Sequence, residues 1–246
     1  KTKEFSQSTT TTKTPQHTIN KLRKPVENDP FKKNEWLGTQ TDKNACYSIV
    51  QQKCKVKDKF IFMATQKGTT KKTQLSLFAK KYKSGIKAIN LDEDDKLIGS
   101  AITSGNDEIL LASNAGKLIR FNESHVRAMG RTARGVRGIK LKKDAKLISL
   151  MLGNPNKTIL CVSENGYGKK TKLEDFPSHN RGGQGVISMK TSERNGLMVS
   201  ATLVDDEDGI MLISDKGTMI RTSVSQIPTL SRNTQGVKII TPKEGE

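Results

Sequence analysis

Aromatic side chains are scarce in this chain of 246 residues, where Phe, Tyr and Trp together make up 4% of the sequence. Proteins that bind single-stranded nucleic acid without sequence preference stack successive bases on such rings. A composition so poor in rings argues against that class of binding site.

Cysteine and histidine are also rare, with three of each. Zinc sites and disulfide frameworks need these residues at short, paired spacings. No such spacing occurs among Cys46, Cys54, Cys161, His17, His125 and His179. The sequence therefore predicts no metal site and no disulfide, and Cys161, inside the apolar run 159–162, is interpreted as a small core residue.

The motifs of the common enzyme classes are missing. The sequence contains no Walker loop, no dinucleotide-binding fingerprint and no Ser-His-Asp order. Two acidic runs, at 92–95 and 205–208, lack the glycine and the final glutamate of a calcium-binding EF-hand loop and are interpreted as solvated turns. We expect no catalytic residues and no cofactor in this segment.

Long apolar runs are absent too. No stretch approaches the roughly 20 apolar residues that span a bilayer, and the chain does not open with a secretory signal. A cytoplasmic protein without membrane association is expected.

What the chain does have is a unit of about fifty residues that occurs four times. Each unit has a turn glycine after a short apolar run, and a second glycine further on that is followed by Ile or Val. The turn glycines are Gly68, Gly116, Gly166 and Gly217, and the second glycines are Gly85, Gly135, Gly185 and Gly236. Periods of about 40–50 residues with strand patterning are typical of small sheets arranged around an axis.

Four strands can be assigned within one unit. Residues 97–102 and 108–112 form the first two, the turn at 114–116 leads into a third strand at 117–121, and 135–141 alternates apolar and basic residues as a fourth strand. The other units keep this order, although the first begins less clearly, near 47–50. We predict an all-β, propeller-like array of about four four-stranded blades, with boundaries near 46–95, 96–145, 146–196 and 197–246.

Residues 1–45 are of a different kind. They contain a polar run of Ser, Gln and Thr, three prolines and few aliphatic side chains. Such a segment cannot bury enough apolar surface to offset an ordering entropy of about 1–2 kcal/mol per residue. A flexible tail or linker is predicted, and because the chain starts with Lys1, we interpret it as a piece of a longer or processed polypeptide.

The net charge of +18, from 43 basic and 25 acidic residues, points to a polyanionic partner. Most of this charge lies in the repeats, where cations recur after the turn glycine and around the second glycine. If the blades stack in register, these cations form a band that can neutralise the phosphates of a bent duplex. The predicted DNA-binding residues are Lys71, Lys72, Lys87, Lys117, Arg120, Arg127, Arg131, Arg134, Arg137, Lys140, Lys169, Lys170, Arg181, Lys190, Arg221, Arg232 and Lys238.

Two other interpretations stay open at this point. A basic repeat scaffold could bind acidic proteins or structured RNA through the same band, and it would neither protect consecutive turns of duplex nor change its topology. A catalytic propeller would need convergent polar residues at one end of its channel, and the sequence offers no such cluster.

Several stretches resemble a known family, the C-terminal domain of the DNA gyrase A subunit, with topoisomerase IV as a close relative. They are 121–139 (FNESHVRAMGRTARGVRGI), 165–171 (NGYGKKT), 185–190 (GVISMK), 193–197 (ERNGL) and 232–237 (RNTQGV). The resemblance implies a β-pinwheel, in which neighbouring blades exchange a strand and a basic perimeter wraps duplex DNA at the nucleoid.

The resemblance also implies which functions belong to other parts of the parent enzyme. The parent enzyme is an ATP-dependent type II topoisomerase that introduces negative supercoils. The ATP and Mg²⁺ of this enzyme bind to other domains. The A subunit contacts its dimer partner and the gyrase B subunit through its N-terminal region.

This chain departs from the family pattern in two respects. Four blades can be recognised where the gyrase domain usually has six, and the family's box Gln-Arg-Arg-Gly-Gly-Lys-Gly, from the first blade, has no full counterpart. The run Arg181-Gly182-Gly183-Gln184-Gly185 is similar to that box but lies in a later repeat. DNA binding is therefore expected, whereas supercoiling competence does not follow from the resemblance.

Overall fold

The computed structural model describes residues 59–80 and 83–241. The predicted tail at 1–45 and the predicted strand at 47–50 lie outside these residues. The described part of the chain consists of β-strands, short 3-10 turns and loops, and it contains no α-helix. The prediction of an all-β fold is confirmed.

The strands are short, mostly of five to seven residues. They are β1 Phe60–Thr65, β2 Thr69–Gln74, β3 Leu97–Thr103, β4 Glu108–Ser113, β5 Lys117–Asn122, β6 Val136–Arg137, β7 Leu147–Leu152, β8 Thr158–Ser163, β9 Tyr167–Lys172, β10 Val186–Ile187, β11 Met198–Val204, β12 Gly209–Ile213, β13 Met219–Ser223 and β14 Val237–Lys238. Single 3-10 turns follow the third strand of each repeat, at Leu75–Phe78, Glu123–His125, Leu173–Asp175 and Val224–Gln226.

Each repeat forms an antiparallel hairpin around its turn glycine, as predicted. The hairpins are β1–β2, β4–β5, β8–β9 and β12–β13. Three of them lie at the centre of a four-stranded sheet, in the orders β3-β1-β2-β6, β10-β5-β4-β7 and β11-β8-β9-β14. The fourth hairpin forms a two-stranded sheet, and Met211, Ile213 and Met219 on it are more than half exposed.

The flanking strands of each four-stranded sheet come from the following repeat. β3 and β6, for example, belong to the second repeat but pair with β1 and β2 of the first. The repeat pattern by itself placed the four strands of one repeat in one blade, whereas the structure divides them between two sheets, in line with the strand exchange that the resemblance implies. Consecutive repeats are therefore joined by shared sheets.

The turn glycine joins each hairpin to the next repeat through its carbonyl group. The carbonyl oxygen of Gly116 accepts hydrogen bonds from the backbone N–H groups of Ser188, at 2.8 Å, and Met189, at 3.3 Å. Gly68 accepts from the residues at the same register of its own following repeat, Gly138 and Ile139. The strand after the second glycine is thus fixed against the preceding hairpin.

The two edges of each sheet face different surroundings. β7 contacts both β3 and β11, the corresponding strands of the neighbouring sheets, and the backbone N–H of Ala201 donates to Ser149 Oγ at 3.2 Å. Since these strands meet one another, they form the inner edge, close to the axis. β6, β10 and β14 lie at the opposite side of each sheet and form its outer edge.

Apolar cores lie between successive sheets. Phe62, Ile109, Leu111, Ile119 and Phe121 pack between the first two sheets. Leu110, Leu118, Ile159, Cys161 and Met189 pack between the second and the third. The central hairpins are therefore covered on both faces, and Cys161 is a buried core residue, as predicted.

Replacing Gly116 by Ala is expected to lower the free energy of unfolding more than replacing Gly217 by Ala. Both residues have positive φ, +68° and +86°, where an L-residue costs about 1–2 kcal/mol. At Gly116 the added Cβ would also lie 2.0 Å from the carbonyl oxygen of Met189, whereas nothing lies within 4 Å at Gly217. Urea denaturation of both variants measures the difference.

For Gly217→Ala we expect a loss of about 1–2 kcal/mol, and for Gly116→Ala a clearly larger one, because the shared sheet must move apart. Equal losses would mean that the approach of Met189 to the turn is not needed for stability.

Candidate nucleic-acid interface

The exposed cations among the predicted binding residues lie mainly on or beside the outer edge. The exposed residues are Lys87, Arg127, Arg134, Arg137, Lys140, Lys190, Arg221 and Lys238. Of these, Arg221 lies on β13 of the fourth hairpin. The others belong to the outer-edge strands, to the connections before and after them, or to residues 85–89 of the first repeat, which occupy the same register.

The four residues before each second glycine form what we call the basic loops, 131–134, 181–184 and 232–235. In the loops 181–184 and 232–235, the carbonyl oxygen of the third residue accepts a hydrogen bond from the preceding repeat. The backbone N–H of Lys140 donates to Gly183 at 2.8 Å, and that of Lys190 donates to Thr234 at 2.9 Å. The outer edge is thus a continuous series of strand ends and basic loops.

An arginine begins each basic loop, at Arg131, Arg181 and Arg232, and all three are half-buried. Arg181 donates from Nε to the carbonyl oxygen of His125 at 2.8 Å and from Nη1 to that of Arg137 at 3.0 Å. Arg232 Nη1 donates to the carbonyl oxygen of Ile187 at 3.3 Å. Arg181 and Arg232 thus help to hold successive repeats together, and their partly exposed guanidinium groups remain within reach of a ligand at the edge.

The lysines of the third strand lie inside the protein, contrary to the surface position that phosphate contact requires. Lys71, Lys72, Lys169 and Lys170 are at most 6% exposed. The reason is that both faces of the third strand are covered, by a neighbouring sheet or, at Lys71, by the segment that contains Ala88. Their ammonium groups bind partners within the protein.

The partners of Lys72 and Lys170 include carboxylates. Lys72 Nζ donates to the backbone oxygen of Glu123 at 3.0 Å and lies 4.0 Å from its carboxylate. Lys170 Nζ pairs with Asp206. Both contacts link a hairpin to the following repeat.

Arg120, at the same register as Lys72, has a similar role. Its Nε pairs with Glu108 at 2.7 Å, and its Nη1 donates to the carbonyl oxygens of Leu173 and Phe176. Lys117, at the start of β5, is half-buried and pairs in register with Ile187 of β10.

Lys71 and Lys169 have no carboxylate within ion-pair distance in the described part of the chain. Burial lowers the pKa of Lys71 to about 8, and the charge of Arg131 acts in the same direction. Burial likewise lowers the pKa of Lys169 to about 8; Arg232 acts in the same direction, while Cys161 and Asp175 oppose it. The hydrogen bonds of both ammonium groups go to backbone carbonyls.

One cation at the outer edge was missed by the sequence interpretation. Arg194 lies over the ring of Tyr167, with Cζ 5.1 Å from the centroid, and donates from Nε to the Tyr167 hydroxyl at 3.3 Å. Lys238 approaches the same ring at 5.9 Å. The stretch 193–197 contributed to the family resemblance, but Arg194 lies outside the register of the glycine markers, so the repeat pattern could not select it.

Among residues 59–80 and 83–241, no group of three or more His, Cys, Asp or Glu side chains could hold a metal ion. The same residues include no helix long and apolar enough to cross a membrane.

Burial raises the pKa of the Cys161 thiol to about 11, and the charge of Lys169 and a hydrogen bond with Ser188 act in the opposite direction.

Sheets arranged around an axis, each sharing an outer-edge strand with the next repeat, define the class of β-pinwheel domains. The chain matches the family model described as "DNA gyrase C-terminal domain, beta-propeller" over residues 59–104, 107–154, 157–205 and 210–246. It therefore belongs to the DNA gyrase C-terminal domain family.

Individual relatives agree with this assignment. The DNA gyrase A subunit of Salmonella typhimurium strain LT2 is 53% identical over 186 residues, which cover 76% of this chain and 21% of the relative. The chain thus spans about a fifth of the length of the curated relatives it matches.

Two solved structures share the fold. The C-terminal domain of DNA topoisomerase IV matches with a TM-score of 0.72 and 26% identity, over 76% of this chain and 59% of that one. A DNA gyrase A C-terminal domain matches with a TM-score of 0.69 and 25% identity, over 78% of this chain and 64% of that one.

The free energy of unfolding is expected to rise with pH between about 8 and 10.5. In this window Lys71 and Lys169 have lost their protons in the folded chain, whereas the unfolded chain keeps them up to the ordinary lysine pKa of 10.5. Because the unfolded state binds more protons there, higher pH favours folding. Urea denaturation across this range measures the slope.

The double variant Lys71→Met/Lys169→Met is the control, since Ile119 shows that an apolar side chain fits this register. It should show a smaller rise with pH than the wild type. Cys161 acts in the opposite sense in both proteins. In the variant the charge of Lys169 no longer opposes the raised pKa of this thiol, so Cys161 also makes the rise with pH smaller there. An identical rise in both would contradict the buried-lysine origin.

Proposed function

We propose that this chain binds and wraps duplex DNA along its outer edge, without sequence preference, as the C-terminal part of a DNA gyrase A subunit. In the whole enzyme it supports ATP-dependent negative supercoiling at the nucleoid. ATP and Mg²⁺ act through other domains, and its partners in that assembly are the A-subunit dimer and the gyrase B subunit.

The main support is the recurrence of exposed cations at equivalent positions of successive repeats. Lys87, Arg137 and Lys238 each follow the second glycine by two residues, and Lys140 and Lys190 follow it by five. Contacts repeated in this way suit the regular spacing of backbone phosphates, and each neutralised phosphate releases condensed counterions. The expected binding is strong, salt-sensitive and independent of sequence.

A curved path of cations also offsets the cost of bending the duplex, which is about 1–6 kcal/mol for 20–30 base pairs. Because the sheets are arranged around an axis, cations at their outer edges lie on such a curved path. We include Arg127, Arg134 and Arg194 in the proposed interface, with the partly exposed Lys117, Arg131, Arg181 and Arg232 contributing beside them. Arg221 is a candidate on the fourth hairpin. The buried lysines Lys71 and Lys169 bind backbone carbonyl groups of the outer-edge loops from inside the protein.

The test of wrapping is topological. The chain is bound to nicked circular DNA over a series of salt concentrations, the nick is sealed with ligase, and the linking-number distribution is read on a gel. We expect a shift that grows with protein and fades with salt. Duplex binding without a shift would overturn wrapping, and binding only to structured RNA or acidic protein would favour the scaffold alternative.

The position of the interface is tested by matched charge reversals. Arg137→Glu with Lys190→Glu removes two exposed outer-edge cations, whereas Lys96→Glu with Lys146→Glu removes two exposed cations beside the inner-edge strands β3 and β7. Both pairs change the net charge equally.

Each lost phosphate contact should lower the slope of log affinity against log salt by about 0.9. We therefore expect a slope reduced by about two in the outer-edge pair and nearly unchanged in the inner-edge pair. Equal effects would show that binding follows total charge and has no preferred edge.

A further inference from the structure

Lys71 and Lys169 occupy the same register, three residues after the turn glycines Gly68 and Gly166. Both side chains are fully buried, with 0% exposure. The corresponding residues of the other two repeats are Ile119 and Ile220. An ionisable side chain thus occupies this register in the first and third repeats only, and of the two isoleucines Ile119 is buried.

Both ammonium groups bind the backbone of a basic loop from the next repeat. Lys71 Nζ donates to the carbonyl oxygen of Arg131 and, at 2.6 Å, to that of Ala88. Lys169 Nζ donates to the carbonyl oxygens of Ser231, at 2.7 Å, and Arg232, at 2.6 Å. Arg131 and Arg232 are themselves equivalent, since each lies four residues before a second glycine.

These contacts are costly to maintain. A buried ammonium group loses its hydration, and in both places the charged side chains nearby include an arginine of like sign. No ion pair compensates either lysine in the described part of the chain. Each ammonium group instead makes charge-assisted hydrogen bonds to two carbonyl oxygens, and such bonds are about twice as strong as neutral ones.

The remaining basic loop, 181–184, has an apolar side chain in place of the buried lysine. Ile119 lies beneath it, and its Cδ1 would be 3.7 Å from a Cβ added at Gly183. This loop contains two glycines and only one cation, Arg181. An apolar side chain therefore lies under the loop that contains two glycines, whereas the loops 131–134 and 232–235, which contain none, are bound by lysines.

We propose that Lys71 and Lys169 are positioning residues, which fix the backbone of the basic loops 131–134 and 232–235 so that their arginines meet duplex phosphates. Lys71 also fixes the segment that carries Lys87, because Ala88 is the next residue. This inference rests on the proposed function, since it names the groups that hold the DNA-binding side chains in place.

The first test compares Lys71→Met/Lys169→Met with Ile119→Met, a matched change at the same register. Affinity for a duplex of random sequence is measured over a salt series, with folding checked by urea denaturation. If each released loop loses one phosphate contact, the salt slope falls by about two and the affinity in about 0.1 M salt by roughly tenfold or more. Ile119→Met should leave both unchanged.

The second test is a pH profile, which separates positioning from a general contribution to the fold. Arginine and phosphate charges do not change between about pH 7 and pH 9. Wild-type affinity should fall as Lys71 and Lys169 lose their protons near pH 8, although folding stability rises over the same range. The groups that face these lysines are Arg131 for Lys71, and Cys161, Arg232 and Asp175 for Lys169.

If the double variant fails to fold, hydrogen exchange on the wild type takes its place. Amide protection in 131–134 and 232–235, corrected for intrinsic base catalysis, should decrease through pH 8, while 181–184 serves as the internal control. Uniform protection changes, or a folded double variant with wild-type salt slope and pH profile, would overturn the inference. A wild type that binds no duplex would instead overturn the proposed function.

Discussion

The structure depends on one backbone interaction, repeated at each junction between repeats. The carbonyl group of a turn glycine accepts hydrogen bonds from two N–H groups directly after the short outer-edge strand of the next repeat, as Gly116 does from Ser188 and Met189. This contact places β6, β10 and β14 at the outer edge and completes each four-stranded sheet. Without it the third strand of each repeat would be an exposed edge, which is a template for pairing with other chains.

The same junction divides the positive charge into two groups with different physical roles. On the third strand, Lys72, Arg120 and Lys170 bind carbonyl or carboxylate groups of the neighbouring repeat. Cations around the second glycine stay exposed, at Arg137, Lys140, Lys190 and Lys238. The high net charge therefore contributes to cohesion within the fold as well as to the exposed cations of the outer edge.

The repeat period, the hairpins and the all-β class could be predicted because they depend on local signals. A turn such as 114–116 needs a residue with positive φ, and Gly116 has φ of +68°. The repeat pattern alone could not predict which strands share a sheet, because β3 is followed by β4 in the chain but pairs with β1. Strand pairing is decided by contacts between distant residues, and these leave no mark in the spacing.

The candidate site was predictable to a similar degree. The register two residues after the second glycine could be selected because a cation recurs there in several repeats, at Lys87, Arg137 and Lys238. Lys71 and Lys169 could not be distinguished from them, since the alternation of polar and apolar residues cannot reveal which strand faces other parts of the fold cover. The sequence alone determined the number of hairpins, the glycine turns and the amount of charge, because these follow from local backbone sterics and composition. Only the tertiary structure decided which cations are exposed, because burial depends on which sheets pack against each other.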